Sequence, residues 1–347
     1  MEDIDKFMQL VESSQRILIT SHISPDPDAI SSVLLLGTTL GQNYPNKQIG
    51  MALEEEPQGL DFLSGYKDIK FGLLAEKVSG FKPDLFIMLD AVNYERCSRT
   101  GGEQVRQYLT DNKVKTAIID HHEPAGKDDT HVYIHQGSIA TAQDVYEVLY
   151  DHLGLQKPEG YGEATMLGIY SDSGGFTYAN PRHAATFKIV NDLIDQGVNL
   201  EALKVRLNQY DESQIKALAE FAKNFGSGGD YSYSYLSDEF VGKWQASGNS
   251  MASLNTIAGL FVNDFIRNIG DRKWGFLVYL NPLAGEDMYS VSFRSQSDIK
   301  DVSQIANKLG GGGHKPAAGA KIQASSIDEA IQKVQQAIKN TGRGGGI

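Results

Sequence analysis

The chain has 347 residues, is 41% hydrophobic and 22% charged, and carries a net charge of -12. This length predicts two domains, and the absence of an apolar run near the ~20 residues of a membrane span excludes a transmembrane helix. The acidic N-terminus does not resemble a signal peptide, and the single cysteine, Cys97, excludes an internal disulfide. We therefore expect a cytoplasmic protein, and its acidity argues against tight binding of long duplex DNA.

Apolar periodicity in the first half predicts strands that alternate with helices. Buried strands are expected at residues 16–20, 48–53, 85–89 and 116–119. Helices are expected at residues 3–13, 28–41, 140–153, 162–171 and 183–196. Because alternating strands and helices form right-handed βαβ units, this half should be an α/β domain with a mostly parallel sheet between helices.

The second half begins differently. Residues 199–224 carry apolar side chains at helical spacing in a polar background and predict two linker helices. The segment Gly226-Ser227-Gly228-Gly229 then predicts a flexible joint. Further strands are expected at 231–236, 274–280, 288–293 and 318–322, and further helices at 252–269, 303–309 and 327–339. The predicted parts are a first domain at 1–198, a helical linker at 199–226, a second domain at 227–341 and a disordered tail at 342–347.

Acidic and histidine residues form four clusters in the first half, and three of these clusters directly follow an apolar run. The clusters contain His22, Asp26 and Asp28; Asp90; Asp120, His121 and His122; and Asp172. Since the carboxyl ends of the strands of an open parallel sheet line one crevice, we expect the clusters to meet there. So many carboxylates at one point repel each other and require cations.

Each cluster alone also has a structural explanation. Pro25 and Pro27 favour a turn, and Asp28 would be a good helix N-cap. Asp90 could cap a strand, and Asp172 could precede a glycine turn. The conjunction favours metal ions, and ligands without thiolate suit Mn²⁺ or Mg²⁺. Two ions that share a carboxylate would lie roughly 3.5–4 Å apart, a spacing suited to hydroxide attack on phosphorus.

The clusters resemble the four motifs of the DHH phosphoesterases, a family that includes RecJ nuclease, type II pyrophosphatases and the nanoRNase/pAp phosphatases. The run from Val291 to Ser295 and the glycine-histidine run from Gly311 to Gly319 resemble the companion domain, DHHA1. The length, the domain order and the run from Asp90 to Arg96 are similar to the nanoRNase/pAp phosphatase branch. The resemblance implies a DHH domain followed by a smaller DHHA1 α/β domain with a mixed sheet. One departure is Ser31, where the family often has glycine, and it concerns local helix packing.

The resemblance also implies a role for each cluster. One metal would be bound by His22, Asp26 and Asp90. The other would be bound by Asp28, Asp90, His121 and Asp172, with Asp90 shared. His122 would face the scissile phosphate and Asp120 would orient a histidine, so that these two and Asp90 are the implied catalytic residues. The implied cofactors are two Mn²⁺ ions, with Mg²⁺ or Co²⁺ as alternatives.

Substrate binding is implied for residues of both halves. They are Arg96, Arg294, Ser295, Gly311, Gly312, Gly313 and His314. The glycine run after Leu309 could also be a helix C-cap, but four glycines before a histidine favour close approach of the backbone to phosphate. Tyr231, Tyr233 and Tyr235 lie on one strand face, where packing is favoured over base stacking.

We therefore expect an enzyme, a metal-dependent hydrolase of phosphate esters. It would cleave short oligoribonucleotides as a 3′-5′ exoribonuclease, remove the 3′-phosphate of pAp, or do both, by hydroxide attack at two metals. The first domain would carry the chemistry and the second would read the substrate. The residues leave open a cyclic dinucleotide (c-di-AMP or pApA) phosphodiesterase, a pyrophosphatase or exopolyphosphatase, and a nucleotide-binding sensor without catalysis. The expected partner is a short oligonucleotide or nucleotide, without long duplex DNA or membrane, and a homodimer is left open.

Overall fold

The computed structural model describes residues 2–57, 59–122, 130–178, 180, 182–207 and 209–341. The chain divides into two compact units, residues 1–208 and 209–347. The tail at 342–347, expected to be disordered, lies outside the described residues. None of the helices in the described ranges has the length and apolar character that crossing a bilayer requires.

The first unit contains a six-stranded sheet in which all neighbouring strands are parallel. The strands are β1 Arg16–Thr20, β2 Gln48–Leu53, β3 Ile69–Phe71, β4 Leu85–Leu89, β5 Lys115–Ile119 and β6 Val132–Ile134. The predicted parallel sheet is confirmed. The strands β3 and β6 are not predicted, because three residues are too few to show a periodicity.

Helices cover both faces of this sheet. They are α1 Glu2–Ser13, α2 Pro27–Asn43, α3 Leu74–Phe81, α4 Tyr94–Cys97, α5 Gly102–Asp111, α6 Thr141–Tyr146, α7 Tyr161–Asp172, α8 His183–Asp195 and α9 Leu200–Leu207; α6 continues as a π-helix, Glu147–His152. In β1, Ile17 and Ile19 pack into one apolar core and Leu18 packs into the other. Burial on both faces is why these strands are continuous apolar runs in the sequence.

The strand order places a crevice at the middle of the sheet. The order is β3-β2-β1-β4-β5-β6, so the chain builds outward from β1 in one direction and then returns to build outward from β4 in the other. At such a reversal the connections leave β1 and β4 on opposite sides, and a crevice opens outside their carboxyl ends. The loops after β1 and β4 carry the first two predicted clusters.

The start of α2 differs from the prediction by one residue. The N-cap is Asp26, whose carboxylate accepts a hydrogen bond from the Ala29 amide at 3.0 Å, and Pro27 is the first helical residue. Proline favours this position because it has no N–H and a suitable φ. The alternative explanation of Asp28 as the helix N-cap is therefore excluded. The Asp28 carboxylate instead bonds to the first residues of α6.

The second unit contains a six-stranded mixed sheet with the order β11-β12-β10-β9-β8-β7. Only β8 and β9 are parallel. The strands are β7 Gly226–Gly228, β8 Tyr231–Tyr235, β9 Trp274–Leu280, β10 Met288–Ser295, β11 Gly312–His314 and β12 Ala317–Gln323. The helices are α10 Glu212–Lys223, α11 Asp238–Ala246, α12 Met251–Asp264, α13 Ser303–Lys308 and α14 Ile327–Thr341. The expected mixed sheet is confirmed.

The segment predicted to be a flexible joint is a strand. Residues Gly226–Gly228 form β7, which pairs with β8 in the antiparallel direction. A Cβ atom at Gly226 would lie 2.4 Å from the Tyr233 ring, and one at Gly228 would lie 2.3 Å from the Tyr231 hydroxyl. The glycines therefore make room for tyrosine rings. The Tyr233 ring also stacks on Phe276 at 5.3 Å, so the expectation that these tyrosines pack is confirmed.

The helices α2 and α7 cross closely at Gly168. A Cβ atom at Gly168 would lie 2.5 Å from the Ala142 Cβ, 2.6 Å from Asp28 Oδ1 and 3.2 Å from the Ser31 Cβ. The serine at position 31 is therefore accommodated by a glycine on the facing helix. The same contact places Asp28 against α6 and α7.

We expect Gly168→Ala to lower the free energy of unfolding by about 1–3 kcal/mol, because the added methyl group has no space in the helix crossing. The same change should displace the Asp28 carboxylate. The matched control is Gly41→Ala, which lies in α2 with no atom within 4 Å of its added Cβ and should be neutral or stabilising. Urea unfolding of both variants would measure this, and equal stabilities would contradict the crossing.

Candidate metal centre

The predicted clusters meet at the carboxyl edge of the first sheet. Three groups of residues could each hold a metal ion, because within each group the ligand atoms lie within 4.8 Å of one another. They are His22, Asp26 and Asp90; Asp28, His121 and Asp172; and Asp90, His121 and His122. Asp90 and His121 each occur in two groups, so the groups form one continuous centre.

Individual distances show how the clusters approach each other. His22 Nε2 lies 3.4 Å from Asp90 Oδ2 and 3.8 Å from Asp26 Oδ1. His121 Nε2 lies 3.3 Å from Asp172 Oδ2 and 3.6 Å from Asp90 Oδ1. Asp90 Oδ2 therefore faces His22 from the loop after β1, whereas Oδ1 faces both histidines after β5, with His122 Nδ1 at 3.3 Å.

Asp90 has an unusual backbone conformation. It directly follows β4 and has a φ of 54°, in the left-handed region. Asp tolerates this region better than most residues, but such a conformation is retained only where the surroundings enforce it. Its amide still donates to the Ile119 carbonyl at 3.1 Å, which continues the ladder between β4 and β5. The strand pairing thus holds Asp90 in place at the point where the chain turns.

The imidazoles of the centre titrate differently from ordinary histidines. Burial opposes the charged form of His22, but hydrogen bonds to Asp26 and Asp90 outweigh it and raise its pKa to about 9. Hydrogen bonds to Asp120 and Asp90 raise the pKa of His122 to about 10. Burial lowers the pKa of His121. At neutral pH, protons on His22 and His122 therefore offset carboxylate charge as a bound cation would.

The carboxylates show the same crowding. Burial, followed by the charges of Asp172 and Asp90, raises the pKa of Asp28 well above its usual value. Burial, followed by the charges of Asp26 and Asp90, likewise raises the pKa of Asp172. Burial opposes ionisation of Asp90, but hydrogen bonds from His122 and His22 lower its pKa. The centre attracts positive charge from the solvent.

The donor set fits divalent cations. The side chains offer carboxylate oxygens and imidazole nitrogens without a thiolate, a mixture suited to hard or borderline divalent cations. His121 Nε2 is buried and has no hydrogen-bond partner among the described residues. A buried polar atom normally has a partner, and a metal ion would supply one here.

Asp120 and His122 form a pair beside the ligand groups. Asp120 is fully buried, and its Oδ1 accepts hydrogen bonds from the His122 amide at 2.7 Å and from His122 Nδ1 at 2.9 Å. His135 Nδ1 lies 2.9 Å from the Asp120 carbonyl. The His122 side chain is 37% exposed, against 14% for His121, so His122 is the more accessible imidazole of the pair.

The first residues of α6 belong to the centre and are absent from the predicted site. The amides of Thr141 and Ala142 donate to the two oxygens of Asp28 at 2.7 and 2.9 Å. Amides at a helix N-terminus are natural partners for a carboxylate. The predicted start of this helix near residue 140 is the signal that could have suggested this contact.

Glu54 and Glu55 follow β2 and accept hydrogen bonds from the loop at Ser24 and the loop at Ser98. Neither glutamate is among the predicted site residues. The Ser24 hydroxyl donates to Glu55 Oε2 at 2.8 Å. The Ser98 hydroxyl and the Arg99 amide donate to Glu54 at 3.1 and 2.6 Å. Arg96, a predicted substrate residue, accepts a hydrogen bond from the Ile23 amide through its carbonyl at 2.7 Å, and its side chain is exposed.

In the second unit, two predicted substrate residues lie in one row of the sheet. Arg294 of β10 and His314 of β11 both pair with Ala317 of β12. They are therefore separated by two strand spacings, about 10 Å. Arg294 Nε donates to Asn263 Oδ1 at 2.8 Å, so Asn263 of α12 helps to orient the guanidinium. The sequence gives no signal for Asn263.

Other predicted substrate residues have structural contacts as well. Gly311 and Gly313 approach β12 closely, since a Cβ atom would lie 2.1 Å from the Gly319 carbonyl and 2.6 Å from the Ala317 carbonyl. Gly312 has more room. Ser295 is fully buried, and its hydroxyl donates to the Gln296 carbonyl at 2.8 Å. Gly311 and Gly313 are thus needed for the close approach of this segment to β12.

Comparison with protein families matches both units. Residues 16–169 match the family described as DHH family, N-terminal domain, and residues 238–340 match the DHHA1 domain. All six strands of the first sheet and three of the four predicted clusters fall within the first match, and the fourth cluster, Asp172, lies just beyond it. The resemblance seen in the sequence motifs is confirmed.

Several relatives carry the name bifunctional oligoribonuclease and PAP phosphatase NrnA, among them two that align over most of this chain. The protein of Thermus thermophilus is 26% identical over 331 residues, which cover 93% of this chain and 89% of that protein. The protein of Mycoplasma pneumoniae is 26% identical over 340 residues, or 96% of each. A crystal structure of an exopolyphosphatase-related protein from Bacteroides fragilis aligns with a TM-score of 0.80 and 23% identity, covering 98% of this chain and 96% of that one. It shares the fold.

We expect Asp172→Asn to raise the melting temperature of the metal-free protein at pH 7. The raised pKa of Asp172 means that its ionised form costs stability in the folded state once the pH exceeds its usual pKa, and asparagine removes that charge. A gain of about 1 kcal/mol would correspond to about 2–4 °C. Conversely, the stabilisation of the wild type by added Mn²⁺ should shrink in the variant, because a ligand is lost.

Thermal unfolding with a chelator and with Mn²⁺ measures both effects. Asp61→Asn is the control, because Asp61 is exposed and belongs to none of the three groups. If Mn²⁺ stabilises Asp172→Asn as much as it stabilises the wild type, Asp172 is not a metal ligand.

Proposed function

This chain belongs to the DHH family, and from this membership and the geometry of its histidines and aspartates we propose that it is a metal-dependent phosphoesterase. It hydrolyses short oligoribonucleotides and the 3′-phosphate of pAp. The observation that carries the proposal is the convergence of three ligand groups on Asp90 and His121. The full-length similarity to NrnA proteins, which are named oligoribonucleases and PAP phosphatases, supports the choice of substrates.

Two metal sites are assigned within the centre. His22, Asp26 and Asp90 would hold one ion, and Asp28, Asp90, His121 and Asp172 would hold the other. When bound, two Mn²⁺ ions would supply Lewis-acid stabilisation of the phosphate and a nucleophilic water at neutral pH. The distances from Asp90 to His22 and His121 support its assignment as the shared ligand.

The remaining residues of the centre position the substrate and its protons. Asp120 holds His122 through two hydrogen bonds, so the imidazole keeps a fixed orientation toward the accessible side. A protonated His122, favoured by the two carboxylates, would bind a phosphate oxygen. In the second unit, Arg294 and His314 lie in one sheet row and would bind a terminal phosphate or base, and Gly312 lies two residues before His314 on β11.

The acidic composition favours short substrates. The chain has 44 acidic residues against 32 basic ones, a net charge of -12, so we expect each phosphate added to a long strand to contribute little affinity. A cytoplasmic location, suggested by the single cysteine, completes the proposal. Cyclic dinucleotides, pyrophosphate and polyphosphate are the competing substrates.

We expect kcat/KM to fall steeply beyond a few nucleotides. The test is a series of 5′-labelled RNA from 2 to 24 nucleotides with Mn²⁺ at fixed salt, together with pAp, c-di-AMP and pyrophosphate. Equal or rising efficiency with length would indicate a processive exonuclease. Preference for c-di-AMP or pyrophosphate would replace the proposed substrates, and the absence of hydrolysis with bound metal would indicate a sensor.

We expect Arg294→Ala to reduce hydrolysis of pAp by at least about tenfold and to leave hydrolysis of bis-p-nitrophenyl phosphate within about threefold, because a charge-assisted hydrogen bond to phosphate contributes about 1.5–3 kcal/mol. The small diester has no remote group to bind. The matched control is Lys321→Ala, an exposed cation on β12 of the same sheet. Equal losses on both substrates would place Arg294 at the reacting phosphorus.

A further inference from the structure

Thr141 touches three residues of the candidate metal centre. It is the first residue of α6 and is fully buried. Its amide donates to Asp28 Oδ2 at 2.7 Å, its hydroxyl lies 3.1 Å from Asp90 Oδ1, and the His121 amide lies 3.3 Å from its hydroxyl oxygen. Asp28 lies in α2, Asp90 follows β4 and His121 lies after β5, so Thr141 connects three separate parts of the chain.

The numbers of protons and acceptor sites on these groups determine the direction of the hydrogen bonds. The His121 amide can only donate, so the Thr141 oxygen accepts from it. A hydroxyl group has one proton, and the ionised carboxylate of Asp90 can only accept. The Thr141 hydroxyl therefore donates to Asp90 Oδ1, and it links the backbone amide of His121 to the carboxylate of Asp90.

We propose that Thr141 is a positioning residue that fixes the rotation of the Asp90 carboxylate. This inference rests on the proposed function, in which Asp90 is the shared metal ligand. The terminal torsion of aspartate is broad and can turn freely without a partner. Asp90 would serve as the shared ligand with its carboxylate at one fixed rotation, and the Thr141 hydrogen bond supports the rotation that directs Oδ1 toward His121 and His122 while Oδ2 faces His22.

Thr141 is itself held rigidly. Its amide and the neighbouring Ala142 amide grip both oxygens of Asp28. The following helix is anchored by buried polar contacts, in which Arg182 donates to Glu147 at 2.8 Å and Gln143 donates to the other Glu147 oxygen at 2.9 Å. A positioning residue must be fixed by its own surroundings, and these contacts supply that support.

The threonine can be changed in two informative ways. Thr141→Val keeps the branched shape and removes the hydroxyl, whereas Thr141→Ser keeps the hydroxyl and removes a methyl group. Loss of a group that orients a metal ligand typically costs 10–100-fold in metal affinity or activity. We therefore expect Thr141→Val to weaken Mn²⁺ binding and lower kcat by about 10–100-fold with little change in KM, and Thr141→Ser to stay within about threefold.

The experiment uses the full chain. Metal-stripped protein is titrated with Mn²⁺ by calorimetry, and kcat and KM are measured on bis-p-nitrophenyl phosphate. The matched control is Thr39→Val, which removes a buried hydroxyl that bonds to Tyr150 at 2.7 Å and touches no candidate ligand. This control should lose stability but bind Mn²⁺ as the wild type does. Thr141→Ala is the second hydroxyl-free variant if Thr141→Val does not fold.

The outcomes are separable. Wild-type Mn²⁺ affinity and kcat in Thr141→Val would overturn the positioning role, as would a defect in Thr141→Ser as large as that in Thr141→Val, which would assign the effect to shape. Failure of the wild type to bind Mn²⁺ or to hydrolyse the diester would overturn the proposed function itself, and the inference with it.

Discussion

The structure depends on burying negative charge at one edge of a parallel sheet. Asp28, Asp90 and Asp120 are at most 1% exposed, and an unpaired charge in such surroundings is costly. Each has a different kind of partner. Helix amides bind Asp28, histidine groups bind Asp120, and imidazoles with a threonine hydroxyl surround Asp90. The centre retains a demand for positive charge, and that demand is the physical basis of the proposed metal binding.

The strand order brings the charged groups together. The chain reverses its direction of growth between β1 and β4, so the loops after these two strands flank one crevice, and the loop after β5 lies next to it. Asp90 occupies a left-handed conformation at this point, where its carboxylate can be shared between two histidines. Gly168 permits the close helix crossing that presses Asp28 against α6. The geometry of the centre therefore depends directly on how the strands and helices of the first unit pack.

In the second unit, the run of glycines before His314 has both a structural explanation and a proposed role in binding phosphate, and the two are compatible. At Gly311 and Gly313 the backbone approaches β12 so closely that an added Cβ atom would collide with a carbonyl oxygen of that strand. The pairing of β11 with β12 also puts His314 in the row of Arg294. A purely structural need at two glycines thus creates the arrangement proposed to bind phosphate. Ser295, in contrast, uses its hydroxyl within the turn that follows β10.

The sequence by itself determined the parallel sheet and the bounds of β1, β2 and β4, because buried strands are continuous apolar runs. Its motifs also predicted six metal ligands through a family resemblance, and that assignment stays a prediction. Only the tertiary structure decided the cap at Asp26, the pairing of β7, and the roles of Thr141 and Asn263. Thr141 and Asp28 are 113 residues apart in the chain. Sequence periodicity reports which face of an element is buried, whereas a hydrogen bond between distant elements depends on how those elements pack against each other.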